Sequence, residues 1–304
     1  MRATVESIPA LPLAASHAGP SIAPTNRGSL TLSHVTRLFN GSTHHGIEDI
    51  TLTCEPGEFV VVVGPSGSGK STLLNIAAGM IMPGKGEVTL DGQPVTGPGP
   101  DRTMVFQDHG LFPWLTAAQN VEFGLKMAGM SRSERADRVN DALKLVHLNN
   151  SAGKLIHELS GGMRQRIAIA RAMVMDPAVL LMDEPFAALD AQTRTLMHAQ
   201  LQELWGHTRK TILFVTHSVG EAVRLADRII VLHAHPGRIR REVLVELSHP
   251  RNFDSSDINQ LVRLVRKEIE DEVNRVNRSM AEAYWNPAPP ADLGGDSGIM
   301  GGGI

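Results

Sequence analysis

The sequence predicts an α/β fold in which a mostly parallel sheet carries a phosphate-binding loop at its centre. Three stretches carry that expectation. The first is Gly64-Pro65-Ser66-Gly67-Ser68-Gly69-Lys70-Ser71, which follows the apolar run Phe59–Val63 and leads into Thr72–Gly79, a strand, loop and helix in succession. The other two are the continuous apolar runs Val179–Met182 and Thr211–Val215, as expected of parallel strands buried on both faces. They end in Asp183-Glu184 and Thr216-His217, and open α/β sheets place ligands at the carboxyl ends of their strands.

The spacing G-x-x-x-x-G-K-S has a physical reason. Glycines at both ends let consecutive backbone N–H groups turn inward around a phosphate with no Cβ in the way. Lys70 then reaches the β- and γ-phosphates, and the Ser71 hydroxyl ligates Mg²⁺. The helix start at Ser71 and Thr72 adds free N–H groups and the positive end of its dipole. The bland alternative, a Gly-rich turn, does not require the strand before it and the helix after it. Two carboxylates at the end of a buried strand are expensive unless a cation or a reaction needs them. Asp183 is accordingly expected to hold the metal and Glu184 to orient and deprotonate a water. His217, at the end of the next apolar run, is expected to contact the γ-phosphate.

Composition bounds the rest. With 304 residues, 42% hydrophobic and 20% charged, the chain is an ordinary globular protein of one large or two smaller domains. A net charge of -3 argues against a general attraction to nucleic acid. Cys54 is the single cysteine, so no internal disulfide forms, and its expected role is that of a small core residue. No apolar stretch approaches the roughly eighteen residues that a membrane helix needs. The thirteen histidines have no C-x-x-C or H-E-x-x-H company, so His44-His45 and His233-Ala234-His235 read as surface or turn residues.

In chain order, residues 1–28 read as a disordered leader rich in Ala, Pro and Ser, with Pro9 and Pro12 interrupting any secretory pattern. Leu30–Val35 and Gly46–Thr53 alternate as strands, and between them Phe39 sits beside the turn signal Asn40-Gly41. Phe39 either packs in the core or stacks on a purine. Gly86–Leu90 is a strand closed by Asp91-Gly92. Thr103–Phe106 is a short buried strand, with Gln107 at its carboxyl end. Leu111-Phe112-Pro113-Trp114-Leu115 is too apolar for a plain solvent loop, and reads as a partner groove or as packing between subdomains. Helical patterning follows from Ala117 to Met175. Ser131 and Glu134 are expected to form a capping box, ahead of apolar positions Ala136, Val139, Leu143 and Val146. Ser160-Gly161-Gly162 starts another helix, either as a plain N-cap or as a second anion site. Beyond Leu247, positions Ile258, Leu261, Leu264, Val265, Ile269, Val273, Val276 and Met280 recur at helical spacing. Residues 248–285 are therefore expected to form an amphipathic helical extension that either docks on the preceding domain or makes a dimer or regulatory contact, and 286–304 a disordered tail.

These pieces in this order resemble the ATP-binding cassette of ABC transporters, over roughly Leu30 to Leu247. Gly64–Ser71 matches Walker A, Gln107 the Q-loop, and Leu159-Ser160-Gly161-Gly162-Met163 the signature. Val179–Glu184 matches Walker B, Ala188-Leu189-Asp190 the D-loop, and His217 the switch histidine. The resemblance implies a P-loop NTPase cassette over 29–247, with a RecA-like core, an antiparallel β subdomain and a helical signature subdomain at about 108–175. It implies ATP and Mg²⁺ as cofactors, with Ser71, Gln107 and Asp183 near the metal and Phe39 stacked on adenine. It also implies a head-to-tail dimer in which Ser160 and Gly162 of one copy cover the ATP held by Lys70 of the other. Two departures are noted: that aromatic position usually carries Tyr, and Met163 stands where the signature usually has Gln.

The segments Leu111–Leu115 and Pro236-Gly237-Arg238-Ile239 look like the importer branch for nitrate, sulfonates and taurine. The expected function is ATP-driven energy coupling for an importer. Its expected partners are two permease subunits and, indirectly, a solute-binding protein, and its place is peripheral, on the cytoplasmic face of the inner membrane. The rival is an ABC ATPase acting on nucleic acid or ribosomes. Ala117–Glu158 leaves no room for the long coiled coil of DNA-repair members, and the chain has one cassette rather than two.

Overall fold

The computed structural model describes residues 27–38, 45–233, 236–249, 251, 256 and 258–269. Its elements begin with β1 (Leu30–Leu38), β2 (His45–Cys54), β3 (Phe59–Val63), α1 (Lys70–Ala77), β4 (Lys85–Leu90), β5 (Gln93–Pro94) and β6 (Arg102–Val105). Three helices follow: α2 (Ala117–Met127), α3 (Arg132–Leu145) and α4 (Gly161–Met173). The chain continues through β7 (Val179–Asp183), α5 (Ala191–Thr208), β8 (Thr211–Thr216), α6 (Val219–Leu225), β9 (Arg228–Leu232) and β10 (Ile239–Leu244), and the last element among the described residues is helix α7 (258–269).

The larger sheet has the order β10-β9-β3-β8-β7-β6 and is parallel except for β10. β3 lies between β8 and β9, and all five of its residues are buried, which is why Phe59–Val63 is apolar without alternation. Phe59, Val61 and Val63 face a core built with α4, α5 and α6. Val60 and Val62 face α1 and the smaller antiparallel sheet, β2-β1-β4-β5. Cys54 is buried in that second core, where burial and then Glu58 push its thiol well above the usual range, so it packs as a small apolar residue. β1 departs from plain alternation. Its pairing with β2 slips between Leu32 and Val35, His34 adopts φ 52°, and Leu30, Leu32 and Val35 are all fully buried.

The helices α2, α3 and α4 bury a third, separate core. The capping box expected at Ser131 is only half formed: its hydroxyl accepts from the Glu134 N–H at 3.3 Å, while the Glu134 carboxylate instead takes Arg138 at 3.2 Å. The reciprocal box sits one helix earlier. The Gln119 side chain accepts from the Thr116 N–H at 2.9 Å, and the Thr116 hydroxyl from the Gln119 N–H at 3.3 Å. Val139, Leu143 and Val146 are buried as expected, but Ala136 is exposed and Ala142 takes the core position. Phe106, expected within a strand, lies just past β6 and is exposed.

At the C-terminal side, Ile258 and Val265 of α7 are buried in the core shared by β3, α5 and α6, with Leu261, Val262, Leu264 and Ile269 packed around them. Val273, Val276 and Met280 lie outside the described residues, as do Phe39 and His44. Glu268 of α7 takes Arg241 at 2.6 Å and Arg240 at 3.3 Å from β10. Ahead of α7, the buried Arg251 guanidinium donates to the carbonyls of Val223, Ala226, Val245 and Leu247 at 2.6 to 3.3 Å. Val223 and Ala226 lie at the end of α6, where unpaired carbonyls and the negative end of the dipole favour a cation. Arg251→Met keeps the aliphatic stem but leaves these carbonyls without their donor. It is expected to cost about 2 kcal/mol or more, read as a lower urea midpoint; an unchanged midpoint would remove Arg251 from the contacts that stabilise the domain.

Candidate active site

Parallel pairing brings the predicted residues to one edge. Val63 pairs with Thr216, Asp183 with Val215 and Val105 with Met182, so residues 64–69, Asp183-Glu184, His217 and Gln107 leave neighbouring strands on the same side. In the loop, Gly69 has φ 82°, and a Cβ there would sit 2.3 Å from the Gly46 carbonyl oxygen, so only glycine fits. Ser66 and Gly67 are exposed, whereas the Ser68 hydroxyl is buried with no hydrogen-bond partner among the described residues. Lys70 is buried and donates to the carbonyls of Gly64 and Pro65 at 2.9 Å each. Burial lowers its ammonium pKa, and Glu184 and Asp183 oppose that shift.

Ser71 Oγ donates to Asp183 Oδ1 at 3.2 Å. Burial raises the Asp183 pKa and Glu184 adds to the rise, while the Ser71 hydrogen bond and Lys70 oppose it. A hydroxyl and a carboxylate side by side offer hard oxygen ligands that suit Mg²⁺, which needs only one or two protein oxygens when phosphates complete its shell. Among the described residues, no group of three His, Cys, Asp or Glu could hold a metal by itself. The donor set and the orphaned Ser68 hydroxyl together fit a bound nucleotide with its divalent cation. Glu184 leaves β7 at φ 42°, a strained value for a non-glycine residue. Its N–H donates to the Val215 carbonyl at 2.9 Å, and its Oε2 lies 2.9 Å from His217 Nδ1.

Ser160, Gly161, Gly162 and Asp190 form a second group, where the starts of α4 and α5 meet. Ser160 is exposed and caps α4, accepting from the Met163 N–H at 3.3 Å. Met163 packs against the apolar core of the helical subdomain, a role that does not require the usual Gln. Asp190 caps α5, accepting from the Thr193 hydroxyl at 2.7 Å and its N–H at 2.9 Å. Those bonds, the hydroxyl first, hold its carboxyl below the usual range. A Cβ on Gly162 would come within 2.6 Å of Thr193 Cγ2, so the two helix starts touch where Gly162 lies. Gln107 is exposed, just past β6.

Sequence reasoning missed two residues that organise the apolar segment after Gln107. Asn120 is fully buried. It accepts from the Phe112 N–H at 2.8 Å and donates to the carbonyls of Phe112, Thr116 and Leu115 at 3.1, 3.0 and 3.3 Å. The signal was present, because Asn120 shares a helix face with Ala117, Val121 and Leu125, and a polar side chain there must find partners. Arg171 of α4 donates to the carbonyls of Gly110 and His109 at 2.6 and 3.0 Å and lies 5.8 Å from the Phe112 ring centre. Phe112 packs against Phe123 and Trp114, leaving Trp114 72% exposed. The two rings of Phe112 and Trp114 are therefore not equivalent: one is held beneath the other.

A phosphate loop after a central parallel strand, with carboxylates ending one neighbouring strand and a histidine ending another, defines the class of phosphate-loop NTPases. Residues 47–187 match the family described as ABC transporter. The nitrate import ATP-binding protein NrtD of Synechocystis sp. is 50% identical over 220 residues, covering 72% of this chain and 83% of its own length. The taurine import ATP-binding protein TauB of Mesorhizobium japonicum is 46% identical over 212 residues, covering 70% and 82%. Among solved structures, the ATP-binding cassette MJ0796, a dimer in a post-hydrolysis state bound to ADP and Pi, matches with a TM-score of 0.63 and 35% identity, over 72% of this chain and all of that one. The chain belongs to the ABC transporter family, as an ATP-binding cassette.

The Gly162 contact gives a test. Gly162→Ala is expected to destabilise the chain by about 1 to 2 kcal/mol through overpacking. Adding Thr193→Ser, which deletes Cγ2 but keeps the hydroxyl on Asp190, is expected to recover most of that loss in thermal melts. If the double variant were no more stable than Gly162→Ala, the α4–α5 contact would not be what requires glycine.

Proposed function

We propose that this chain is the ATP-hydrolysing, energy-coupling subunit of an ABC importer for nitrate, sulfonate, taurine or a similar small solute, working at the cytoplasmic face of the inner membrane. The observation that carries this reading is the pair of contacts at adjacent strand ends, Ser71 with Asp183 and Glu184 with His217. The names of the nitrate and taurine import relatives support the importer assignment. Among the described residues no helix is long and apolar enough to cross a membrane, so the spanning part of such an importer is assigned to permease subunits.

In this reading Lys70 turns its ammonium to the β- and γ-phosphates, and the backbone N–H groups of 66–70 and the start of α1 surround them. Ser71 and Asp183 would hold Mg²⁺, which when bound neutralises charge developing on the phosphate oxygens. Glu184 orients the attacking water and accepts its proton. His217, fixed through Nδ1 by Glu184, contacts the γ-phosphate, and Gln107 senses the same edge. Ser160, Gly161 and Gly162 of a second copy cover the nucleotide, with Asp190 at the seam; the dimeric state of the MJ0796 cassette supports that arrangement. Trp114, held by Phe112 and Asn120, is the docking anchor for a permease helix, and a solute-binding protein delivers the solute on the far side. The rival role on nucleic acid finds no support in the net charge of -3.

Glu184→Gln is expected to keep ATP binding while hydrolysis falls about 10²-fold or more, so that an ATP-dependent dimer accumulates in size-exclusion chromatography. Normal hydrolysis with only monomers would overturn the role of Glu184. Exposed aromatic anchors commonly contribute about 2 kcal/mol to an interface. Trp114→Ala is therefore expected to lower nitrate or taurine uptake in cells while the purified chain still hydrolyses ATP, and unchanged uptake would exclude docking at Trp114.

A further inference from the structure

Behind the catalytic edge lies a polar cluster that the proposed chemistry does not use. Glu221 of α6 is only 5% exposed. Burial opposes its charge, but hydrogen bonds from His198 and Thr216 and the nearby charges of His198 and Arg194 hold its carboxyl below the usual range. Oε2 accepts from the Thr216 hydroxyl at 2.6 Å. Oε1 lies 3.3 Å from His198 Nε2 and 3.9 Å from Arg194 Nε, both on α5. His198 is itself buried, with its ring edge-on to Phe186 at 5.3 Å between centroids. The Thr216 hydroxyl also accepts from the Ser218 N–H at 2.9 Å, and the Ser218 hydroxyl accepts from the Glu221 N–H at 3.4 Å.

The Thr216 hydroxyl, just before His217, is thus tied to the carboxylate and in turn holds the Ser218 N–H just after it, while the His217 side chain itself is 63% exposed. A buried carboxylate of this kind is poorly explained by stability, because an apolar side chain of similar size commonly serves as well or better. It is well explained by geometry: an exposed imidazole aims reproducibly only if the backbone beneath it cannot move. We infer that Glu221, held by His198 and Arg194 and acting through Thr216, is the positioning group that aims His217 at Glu184. This rests on the reading of His217 and Glu184 as parts of the hydrolytic site.

The test uses the full chain with steady-state ATPase kinetics and nitrogen-detected imidazole spectra, in which His217 is assigned by the signals lost in His217→Ala. Thr216→Val removes the hydroxyl but keeps the shape. It is expected to lower kcat about tenfold with KM for ATP little changed, and to shift the His217 ring signals. Thr216→Ser, which keeps both hydrogen bonds, is expected to restore rate and signals. Glu221→Gln, read the same way, stands in if Thr216→Val fails to fold. Full kcat in Thr216→Val, or a lost rate with unshifted His217 signals, would overturn the inference while leaving the hydrolytic reading intact. A His217→Ala variant with normal kcat would instead overturn the role of His217, and the positioning role with it.

Discussion

The parallel register of β3, β8, β7 and β6 is the constraint on which the site depends. The strand interiors of β3 and β8 are buried throughout, so polar side chains can appear only where the backbone leaves the sheet. A slip of one residue between β7 and β8 would carry Asp183 and Glu184 about 3.3 Å along the strand and exchange their faces. The 2.9 Å contact of Glu184 with His217 and the 3.2 Å contact of Ser71 with Asp183 could not both survive it. Apolar packing in two cores, one on each face of the sheet, sets that register and so sets the chemistry.

The helical subdomain is joined to this sheet through α4, whose Ala168, Ile169, Ala172 and Met173 pack in the core shared by β3, α5 and α6. Its apolar core is its own, and Arg171 fastens α4 to the chain just past Gln107. Gly162 lets the start of α4 meet Thr193, whose hydroxyl is already engaged by Asp190. The residues expected to reach a second copy are therefore built into one junction, in which α4 and α5 constrain one another at their N-terminal ends.

What could be read in the sequence follows from the range of the interactions. The loop Gly64–Ser71, the apolar runs and their polar ends were legible because the chemistry of each lies within a few neighbouring residues. The bulge at His34 was not, since it depends on how β1 pairs with β2. Thr116 and Ser131 both offer a capping-box pattern, and what decides between them is whether the third residue has a competitor: Glu134 has Arg138 one turn later, whereas Gln119 returns to Thr116. Glu221 with His198 and Asn120 with Phe112 needed the fold, because a buried polar residue announces that it has a partner without saying where that partner is.

Asn120 has one further consequence. By holding Phe112, Leu115 and Thr116 through their backbone groups, it freezes the turn that carries Trp114 before any partner arrives. Ordering a flexible loop commonly removes much of the free energy of association, and here that entropy is already lost when the chain folds. A permease docking at Trp114 would meet a rigid tooth, so its fit would be judged by shape at first contact, and movement of the partner would pass into the cassette with little slack.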